Sequence, residues 1–486
     1  MNVIKPQTEA EFSLAVFLQG ALNRRGVETA IDVDRCLDYR KGGTEKDLWR
    51  LVEETAPSFD GMAVYDFAPG DVSVNMAATA CAAENLLGVP RVLAERAGRY
   101  GLKPRFDTAD FKGGDAERQR AVWLLFRDRL KRDCLVHQVT TEEGFHHGLR
   151  DYAISHGAFC FFARPEEDAD FLREVLGWAR KGIPVYGWTT DELAFVRELS
   201  LFGDYLIPSD WSCNHSLFAR GRYSRLKQRG RTETPVADPA AHYLAIVVSD
   251  GDNVQWLERN FATDGLYGQR IRRARPYKMS WTAAPLLGKF CPEALRGIYA
   301  RAEKDTFVCG VSGIGYTNCM TFPESRLAAF ARKTATGMKY ADMRVVTLLD
   351  DMRRIPAEGP EGRLARFAEQ ENISGGIWEL DPDRYQSGRG KIFWAKGKPF
   401  ISVGVSLWHP SCKAESVTRE WLDSVAAEIA AKPADLRSER GYTVFNVHPW
   451  SICMDDVDYL VSRLPGRIKI VSAEELVALV AANVRR

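Results

Sequence analysis

The C-terminal half of the chain is built from short apolar segments, each followed by a polar or aromatic tip. Eight segments fit buried strands, at 243–249, 277–282, 307–312, 343–349, 375–379, 400–406, 442–447 and 467–471. Helical patterns lie between them, at 293–303, 361–370, 418–431 and 455–463. This alternation over about 230 residues predicts a parallel barrel of seven or eight strands, in which the tips meet at one end.

The N-terminal half alternates strands and helices less regularly. Apolar segments at 61–65, 134–136, 158–162 and 184–187 fit strands, and the patterns at 11–23 and 74–87 fit helices. This order predicts an open α/β domain with a largely parallel sheet. The polar segment 227–235 lacks apolar periodicity, which is typical of an exposed connection. We therefore expect an α/β protein with an N-terminal open domain over 1–235 and a C-terminal barrel-like domain over 236–486.

The amino-acid composition limits the kinds of ligand that this chain is expected to bind. The 486 residues are 45% hydrophobic, and 66 basic against 65 acidic residues leave a net charge of +1. Such a balance gives no field that would hold nucleic acid or an anionic membrane, and it favours a neutral or small polar substrate. The start lacks a basic and apolar leader and no stretch is apolar enough to span a bilayer, so a cytoplasmic location is expected. Ten scattered cysteines without a Cys-x-x-Cys pair agree with a reducing compartment.

Two carboxylates and an amide follow the first predicted barrel strand. They are Asp250, Asp252 and Asn253, with Gly251 between the acids. Residues two apart in extended geometry point to the same side, and glycine permits backbone angles that aim both carboxylates inward. Two such groups can act as acid, base or electrostatic anchor, or bind a divalent cation through oxygen. The alternative is a turn in which Asp252 or Asn253 caps the following helix.

Glu379 and Asp381 end the fifth predicted strand. Glycoside hydrolysis uses two carboxyl groups, about 5 Å apart for retention of configuration or about 6.5–9.5 Å apart for inversion. A carboxylate from the first strand and one from the fifth can face each other across a barrel mouth. Alternatively, Glu379 is the buried partner of an arginine, and Asp381 begins a turn with Pro382.

Histidines and aromatic residues occupy the same tips. His409 and His448 each precede a proline at the end of an apolar segment, where a neutral imidazole can bind a sugar hydroxyl or simply pack in the core. No His-x-x-x-His pattern occurs in this half, which disfavours a zinc site of the usual spacing. Aromatic side chains near the tips offer flat faces for a sugar; they are Trp256, Trp281, Tyr316, Trp378, Trp408 and Trp450.

These residues resemble the GxGYxYP family, which is classed with the glycoside hydrolases. The motif that names the family is matched by Gly313, Gly315 and Tyr316, and its aromatic-proline pair is displaced to Phe322 and Pro323. Further similarity lies in the segments 18–24, 210–216, 249–256 and 447–450, so the resemblance covers most of the chain. It implies a carbohydrate-active enzyme.

The preferred hypothesis is a glycoside hydrolase that acts on an oligosaccharide or glycoside. Its catalytic residues are Asp250, Asp252 and Glu379, and the roles of acid, base and nucleophile among them stay open. The substrate-binding residues are Asn253, Trp281, Tyr316, Asp381, Trp408, His409, His448 and Trp450. No cofactor is expected, with a divalent cation at Asp250 and Asp252 as the alternative. Two other functions stay open: a metal-assisted carbohydrate deacetylase and a non-catalytic glycan-binding protein.

Overall fold

The computed structural model describes residues 1–32, 43–140, 148–219, 223–263 and 265–485. The chain divides into two compact units, Met1–Arg222 and Tyr223–Arg486. The boundary at residue 235 stays a prediction, and the α/β class is confirmed. Within the described ranges, no helix combines the length and the apolar composition that crossing a bilayer requires.

The first unit contains three small parallel sheets in its described residues. Their strand orders are β2-β1-β3, β5-β4-β6 and β10-β9-β7-β8. The strands are β1 (Asn2–Ile4), β2 (Thr29–Ile31), β3 (Thr44–Lys46), β4 (Gly61–Tyr65), β5 (Leu86–Pro90), β6 (Pro104–Asp107), β7 (Lys131–His137), β8 (Ala158–Phe161), β9 (Pro184–Gly187) and β10 (Tyr205–Pro208). The four strands expected in this half correspond to β4, β7, β8 and β9.

Helices follow most of these strands, and their ends carry the usual caps. Thr8 and Asp191 accept hydrogen bonds from the first turns of α1 and α8, and Gly203 ends α8 in the left-handed region. The helices are α1 (Glu9–Arg24), α2 (Leu48–Thr55), α3 (Ser73–Ala83), α4 (Ala94–Gly98), α5 (Asp115–Phe126), α6 (Arg150–His156), α7 (Ala169–Trp178), α8 (Glu192–Phe202) and α9 (His215–Phe218).

The second unit is a closed parallel barrel, as the strand spacing predicted. Seven strands form the ring in the order β11-β12-β13-β14-β15-β17-β18, and β18 pairs with β11 to close it. These strands are β11 (His242–Val248), β12 (Ser280–Ala283), β13 (Thr306–Cys309), β14 (Val345–Asp351), β15 (Gly375–Asp381), β17 (Lys398–Leu407) and β18 (Tyr442–Val447). The short β16 (Ile392–Ala395) forms an antiparallel hairpin with β17.

The eighth predicted strand, β19 (Ile468–Val471), is present but does not separate β11 from β12. It pairs with β11 from His242 to Ala245, whereas β12 pairs with β11 only at Val247 and Val248. One edge of β11 therefore serves two partners in succession. The barrel closes with seven strands at its carboxyl end, and β19 fills the gap at the amino end.

The helices of this unit follow the strands, and the last one covers the amino end of the barrel. The helix α18 contacts β11, β13, β14, β17 and β18. Its Ala473 amide bonds to Ser280 at the start of β12, and a Cβ on Gly375 at the start of β15 would lie 2.8 Å from Val477. The open end is therefore the carboxyl end. The helices are α10 (Val254–Glu258), α11 (Leu266–Ile271), α12 (Leu287–Phe290), α13 (Pro292–Arg301), α14 (Glu324–Tyr340), α15 (Glu361–Ala368), α16 (Arg419–Ala430), α17 (Met454–Ser462) and α18 (Ala473–Asn483).

Candidate active site

The turn after β11 folds across the ends of β12 and β13. The amide of Gly251 donates to the Thr282 hydroxyl at 2.9 Å, and a Cβ on Gly251 would lie 1.8 Å from the Thr282 carbonyl oxygen. A Cβ on Gly310, after β13, would lie 3.0 Å from the amide nitrogen of Asp252. Two glycines thus permit a close backbone approach that side chains would block. This approach carries Asp252 over the mouth of the barrel.

Asp250 stands at the start of this turn, half-buried and with a left-handed φ of 65°. The Ser249 hydroxyl donates to its carboxylate at 2.5 Å, and the Asn253 side chain donates to its backbone carbonyl at 3.1 Å. Burial raises the pKa of Asp250 to about 6, an effect partly offset by hydrogen bonding from Ser249 and Trp450. Asn253 is the N-cap residue of α10, but its side chain makes no capping bond. The amide instead holds the Asp250 backbone.

Glu379 lies inside the barrel below this turn. Its side chain is almost fully buried, and in the described part of the chain neither carboxyl oxygen has a hydrogen-bond partner. Burial raises the pKa of Glu379 well above its usual range, and the charges of Asp250, Asp252 and Asp381 raise it further. Among the described residues no arginine pairs with Glu379. The structure therefore brings together Asp250, Asp252, Glu379 and Asp381, from β11 and β15.

Neighbouring residues on β15 and β14 point the other way. Alternate residues of a strand face opposite sides, so Trp378 and Glu379 diverge. The indole of Trp378 donates to Asp350 at 3.0 Å, and Asp350 also accepts the Met320 amide at 2.8 Å. Burial raises the pKa of Asp350 to about 7. Asp350 is thus a buried acid on the helix-facing side, outside the carboxylate cluster.

An aromatic wall forms where β17 and β18 end. Trp408 stacks on His448, and the His448 ring bonds to the Ser451 hydroxyl at 2.9 Å. Burial lowers the pKa of His448 to about 4, so the imidazole is neutral at physiological pH. Trp450 follows His448, packs against Trp256 and is 47% exposed. Trp408, His448 and Trp450 therefore lie at the barrel mouth.

Three predicted substrate-binding residues have other surroundings. Trp281 is fully buried and donates to Asp305 at 3.0 Å, on the side of β12 opposite Thr282, so it offers no face to a sugar. His409 bonds to Ser411 and packs against Trp421 of α16. Tyr316 is buried in the loop after β13.

The glycine motif of that loop has a local structural reason. Gly313 has a φ of 116°, and a Cβ there would lie 2.5 Å from the Thr334 hydroxyl of α14. The same hydroxyl accepts the Ile314 amide at 3.0 Å. Gly313 is needed because the loop both turns left-handed and lies against α14. The motif therefore anchors the loop that carries Tyr316.

Sequence reasoning missed three polar residues inside the barrel, Thr347, Ser406 and Asn446. All three are buried, and the Asn446 side chain donates to the Ser406 hydroxyl at 3.1 Å. The signal was present in the sequence. Thr347 lies four residues before Asp351, the last residue of β14, and Asn446 lies two residues before His448, so the members of each pair share a face. A polar residue at even spacing from a tip predicts a polar barrel interior.

Two other polar clusters do not include the mouth carboxylates. Three ligand atoms of His, Cys, Asp or Glu come within 4.8 Å of one another at Asp133, Cys134 and His156, and the described residues include no second such set. That set joins an ion pair to a thiol whose pKa burial raises. A cavity of about 40 Å³ is lined by residues that include Arg270 and Asp305, and none of the mouth carboxylates lines it.

A closed parallel barrel with converging carboxylates at its carboxyl end defines an α/β-barrel protein with an acidic mouth. The chain belongs to the GxGYxYP family. The model described as "GxGYxYP putative glycoside hydrolase C-terminal domain" matches residues 240–481, and the "GxGYxYP third domain" matches residues 135–220. Together the two matches cover more than half of the chain.

A solved structure has the same fold. It is described as a "putative hydrolase" from Bacteroides thetaiotaomicron, and it superposes with a TM-score of 0.85 at 23% sequence identity. The likeness covers 99% of this chain and 94% of that chain. At this identity it shows the fold alone. No curated protein matches the chain.

Proposed function

We propose that the protein is a glycoside hydrolase whose reacting carboxyl groups are Glu379 and Asp250. The observation that carries this proposal is the unpartnered carboxyl of Glu379, buried close to three other acids. An isolated charge is costly in such surroundings, so burial favours the protonated form of Glu379. Membership of the GxGYxYP family supports a glycosidic substrate.

The pKa values of the two carboxyl groups differ in the way that a general acid and a nucleophile or base require. Asp250, with a pKa of about 6, is ionised at neutral pH, whereas the pKa of Glu379 lies well above its usual range. Environments that separate the pKa values of two carboxyls are typical of sites where one is the acid and the other the nucleophile or base. Glu379 is therefore the proposed general acid.

The reaction follows from these states. Glu379 donates its proton to the glycosidic oxygen as the bond to the anomeric carbon breaks. If the two groups lie close together, the carboxylate of Asp250 attacks that carbon, and water deprotonated by Glu379 then hydrolyses the glycosyl ester. If they lie farther apart, the carboxylate of Asp250 removes a proton from the water that attacks the carbon. Both Glu379 oxygens are closed to solvent here, so substrate binding requires side-chain movement at the mouth.

The remaining mouth residues have supporting roles. Asp252 and Asp381 keep Glu379 protonated through their charge, and Asn253 fixes the backbone of Asp250. Neutral His448 can bind a sugar hydroxyl, and the exposed ring of Trp450 provides a flat face for a sugar. The proposed substrate is an oligosaccharide or glycoside.

The leaving-group dependence of hydrolysis tests the two roles. The dinitrophenolate of a dinitrophenyl glycoside leaves without being protonated, whereas the alcohol of an alkyl glycoside leaves only when an acid protonates its oxygen. Glu379→Gln should therefore hydrolyse alkyl glycosides about 10²–10⁴-fold more slowly than the wild-type protein, with a much smaller loss of rate on dinitrophenyl glycosides. Asp250→Asn should hydrolyse both kinds of substrate more slowly. Asp350 is a buried acid on the opposite strand face, so Asp350→Asn is the matched control and should hydrolyse both substrates at the wild-type rate.

Product analysis in the same experiment separates the rival functions. Release of acetate from acetylated sugars without a new reducing end would indicate a deacetylase. Binding of glycans that are recovered unchanged, with equal affinity in Glu379→Gln, would indicate a binding protein.

A further inference from the structure

Four buried oxygen atoms inside the barrel have no hydrogen-bond partner among the residues that the structure describes. They are both carboxyl oxygens of Glu379, the hydroxyl of Thr347 and the side-chain oxygen of Asn446. Each of these residues is at most 1% exposed. A buried polar atom without a partner destabilises the folded state, so four in one barrel require an explanation.

The three side chains face the same interior. In the β14–β15 ladder Thr347 is paired with Ile377 and Leu349 with Glu379, and paired residues share a face. The same face continues from Ile377 to its partner Ile401 on β17. Val403 of β17 pairs in turn with Val444 of β18, two residues before Asn446.

The bonding needs of these groups are complementary. A protonated Glu379 offers one O–H donor and an acceptor oxygen, Thr347 offers a hydroxyl, and the Asn446 oxygen can only accept. Water provides two donors and two acceptors, and polar interior sites of this kind usually hold it. The acids Asp250, Asp252 and Asp381 are the charged groups that act on Glu379, and their charge raises its pKa.

We propose that ordered water inside the barrel links Glu379 to Thr347 and Asn446, so that these two are positioning residues for the acid. Ser406 fixes the Asn446 amide and thereby leaves its oxygen pointing to the water. The water holds the Glu379 carboxyl in one orientation below Asp250. The inference rests on the proposed role of Glu379 for its catalytic meaning, but the water site itself does not.

The stability of Thr347→Val tests the water site without reference to activity. If the hydroxyl is bound to water, its removal should lower the midpoint of thermal unfolding by about 2–4 °C. If the hydroxyl is dry, the isosteric valine should raise the midpoint, and the proposal fails. Thr443→Val is the matched control on β18, because its hydroxyl bonds to His242 at 3.0 Å and its loss must lower the midpoint.

The protonation of Glu379 provides the second readout. Infrared spectroscopy follows the carbonyl stretch of a protonated carboxyl, assigned to Glu379 by its loss in Glu379→Gln. Thr347→Val and Asn446→Leu remove bound water and so should move the loss of this band to higher pH, whereas Thr443→Val should not. An unchanged titration in both variants would overturn the proposal. A shifted titration in a protein without glycosidase activity would retain the water site and reject only the proposed function.

Discussion

Trp408 stacks on His448 with ring centroids 3.8 Å apart and planes inclined by 4°. The two residues follow β17 and β18, which pair side by side up to Leu407 and Val447. The parallel ladder thus brings two side chains, about 40 residues apart in the chain, into face-to-face contact. The indole covers one face of the imidazole and contributes to its burial.

Removal of the indole should change the titration of His448. Because burial is the cause of its low pKa of about 4, Trp408→Ala should raise that pKa toward the ordinary value of 6.5. Histidine titration by NMR measures this directly. Trp421→Ala is the control, because Trp421 packs on His409. An unchanged His448 pKa in Trp408→Ala would show that the indole is not what shields the imidazole.

The pH dependence of hydrolysis should have an acid limb set by Asp250. The carboxylate of Asp250 must be ionised, so kcat/KM should fall as the pH drops through about 6. Activity should also fall at high pH, when Glu379 loses its proton. Ser249→Ala removes a bond that stabilises the ionised Asp250, and it should move the acid limb to higher pH. If the acid limb of the profile does not move in Ser249→Ala, the limb does not arise from Asp250.

Glu379→Gln should stabilise the protein increasingly as the pH rises. The folded state binds the Glu379 proton more tightly than the unfolded chain, in which this group has a pKa near 4.5. Stability is therefore lost as the pH rises above 4.5, by about 1.4 kcal/mol per pH unit until the folded-state pKa is reached. Glutamine removes this loss. Urea unfolding of the wild-type protein and of Glu379→Gln at several pH values should show a difference in the free energy of unfolding that grows with pH.

Gly251→Ala should destabilise the turn after β11. Its Cβ would overlap the Thr282 carbonyl, and overpacking of this kind costs about 1–3 kcal/mol. Gly297→Ala is the matched control, since a Cβ there meets nothing and alanine at this exposed position stabilises α13 by about 1 kcal/mol. Equal stabilities of the two variants, measured by urea unfolding, would mean that the turn does not approach Thr282 as described.

The barrel could be predicted from the sequence because strand periodicity and tips repeat along the chain. The strand β11 carries an uninterrupted apolar run from Tyr243 to Val248, and tips such as Asp250 and His448 mark the carboxyl end. The convergence of Asp250 with Glu379 follows from parallel topology alone, since all such tips lie at one end. The place of β19 did not follow, because only the register shows that β11 divides one edge between two partners.

Side-chain direction was the harder part. Trp281 and Glu379 both sit near strand ends, but one faces the helices and the other the barrel interior. A one-residue shift reverses the face, and strand ends assigned from sequence are uncertain by more than that. Thr347 and Asn446 were missed for a related reason. They lie within largely apolar strands, and the functional prediction used only the polar residues at strand ends.

Hydrolysis of a broad panel of nitrophenyl and alkyl glycosides by the wild-type protein, Glu379→Gln, Asp250→Asn and Asp350→Asn tests the central claim most directly. We predict that the wild-type protein and Asp350→Asn release sugar from at least one alkyl glycoside, and that Glu379→Gln and Asp250→Asn do so at least about 100-fold more slowly. Wild-type rates in Glu379→Gln and Asp250→Asn, or no hydrolysis of any member by any of the four proteins, would contradict a catalytic pair at the mouth of this barrel.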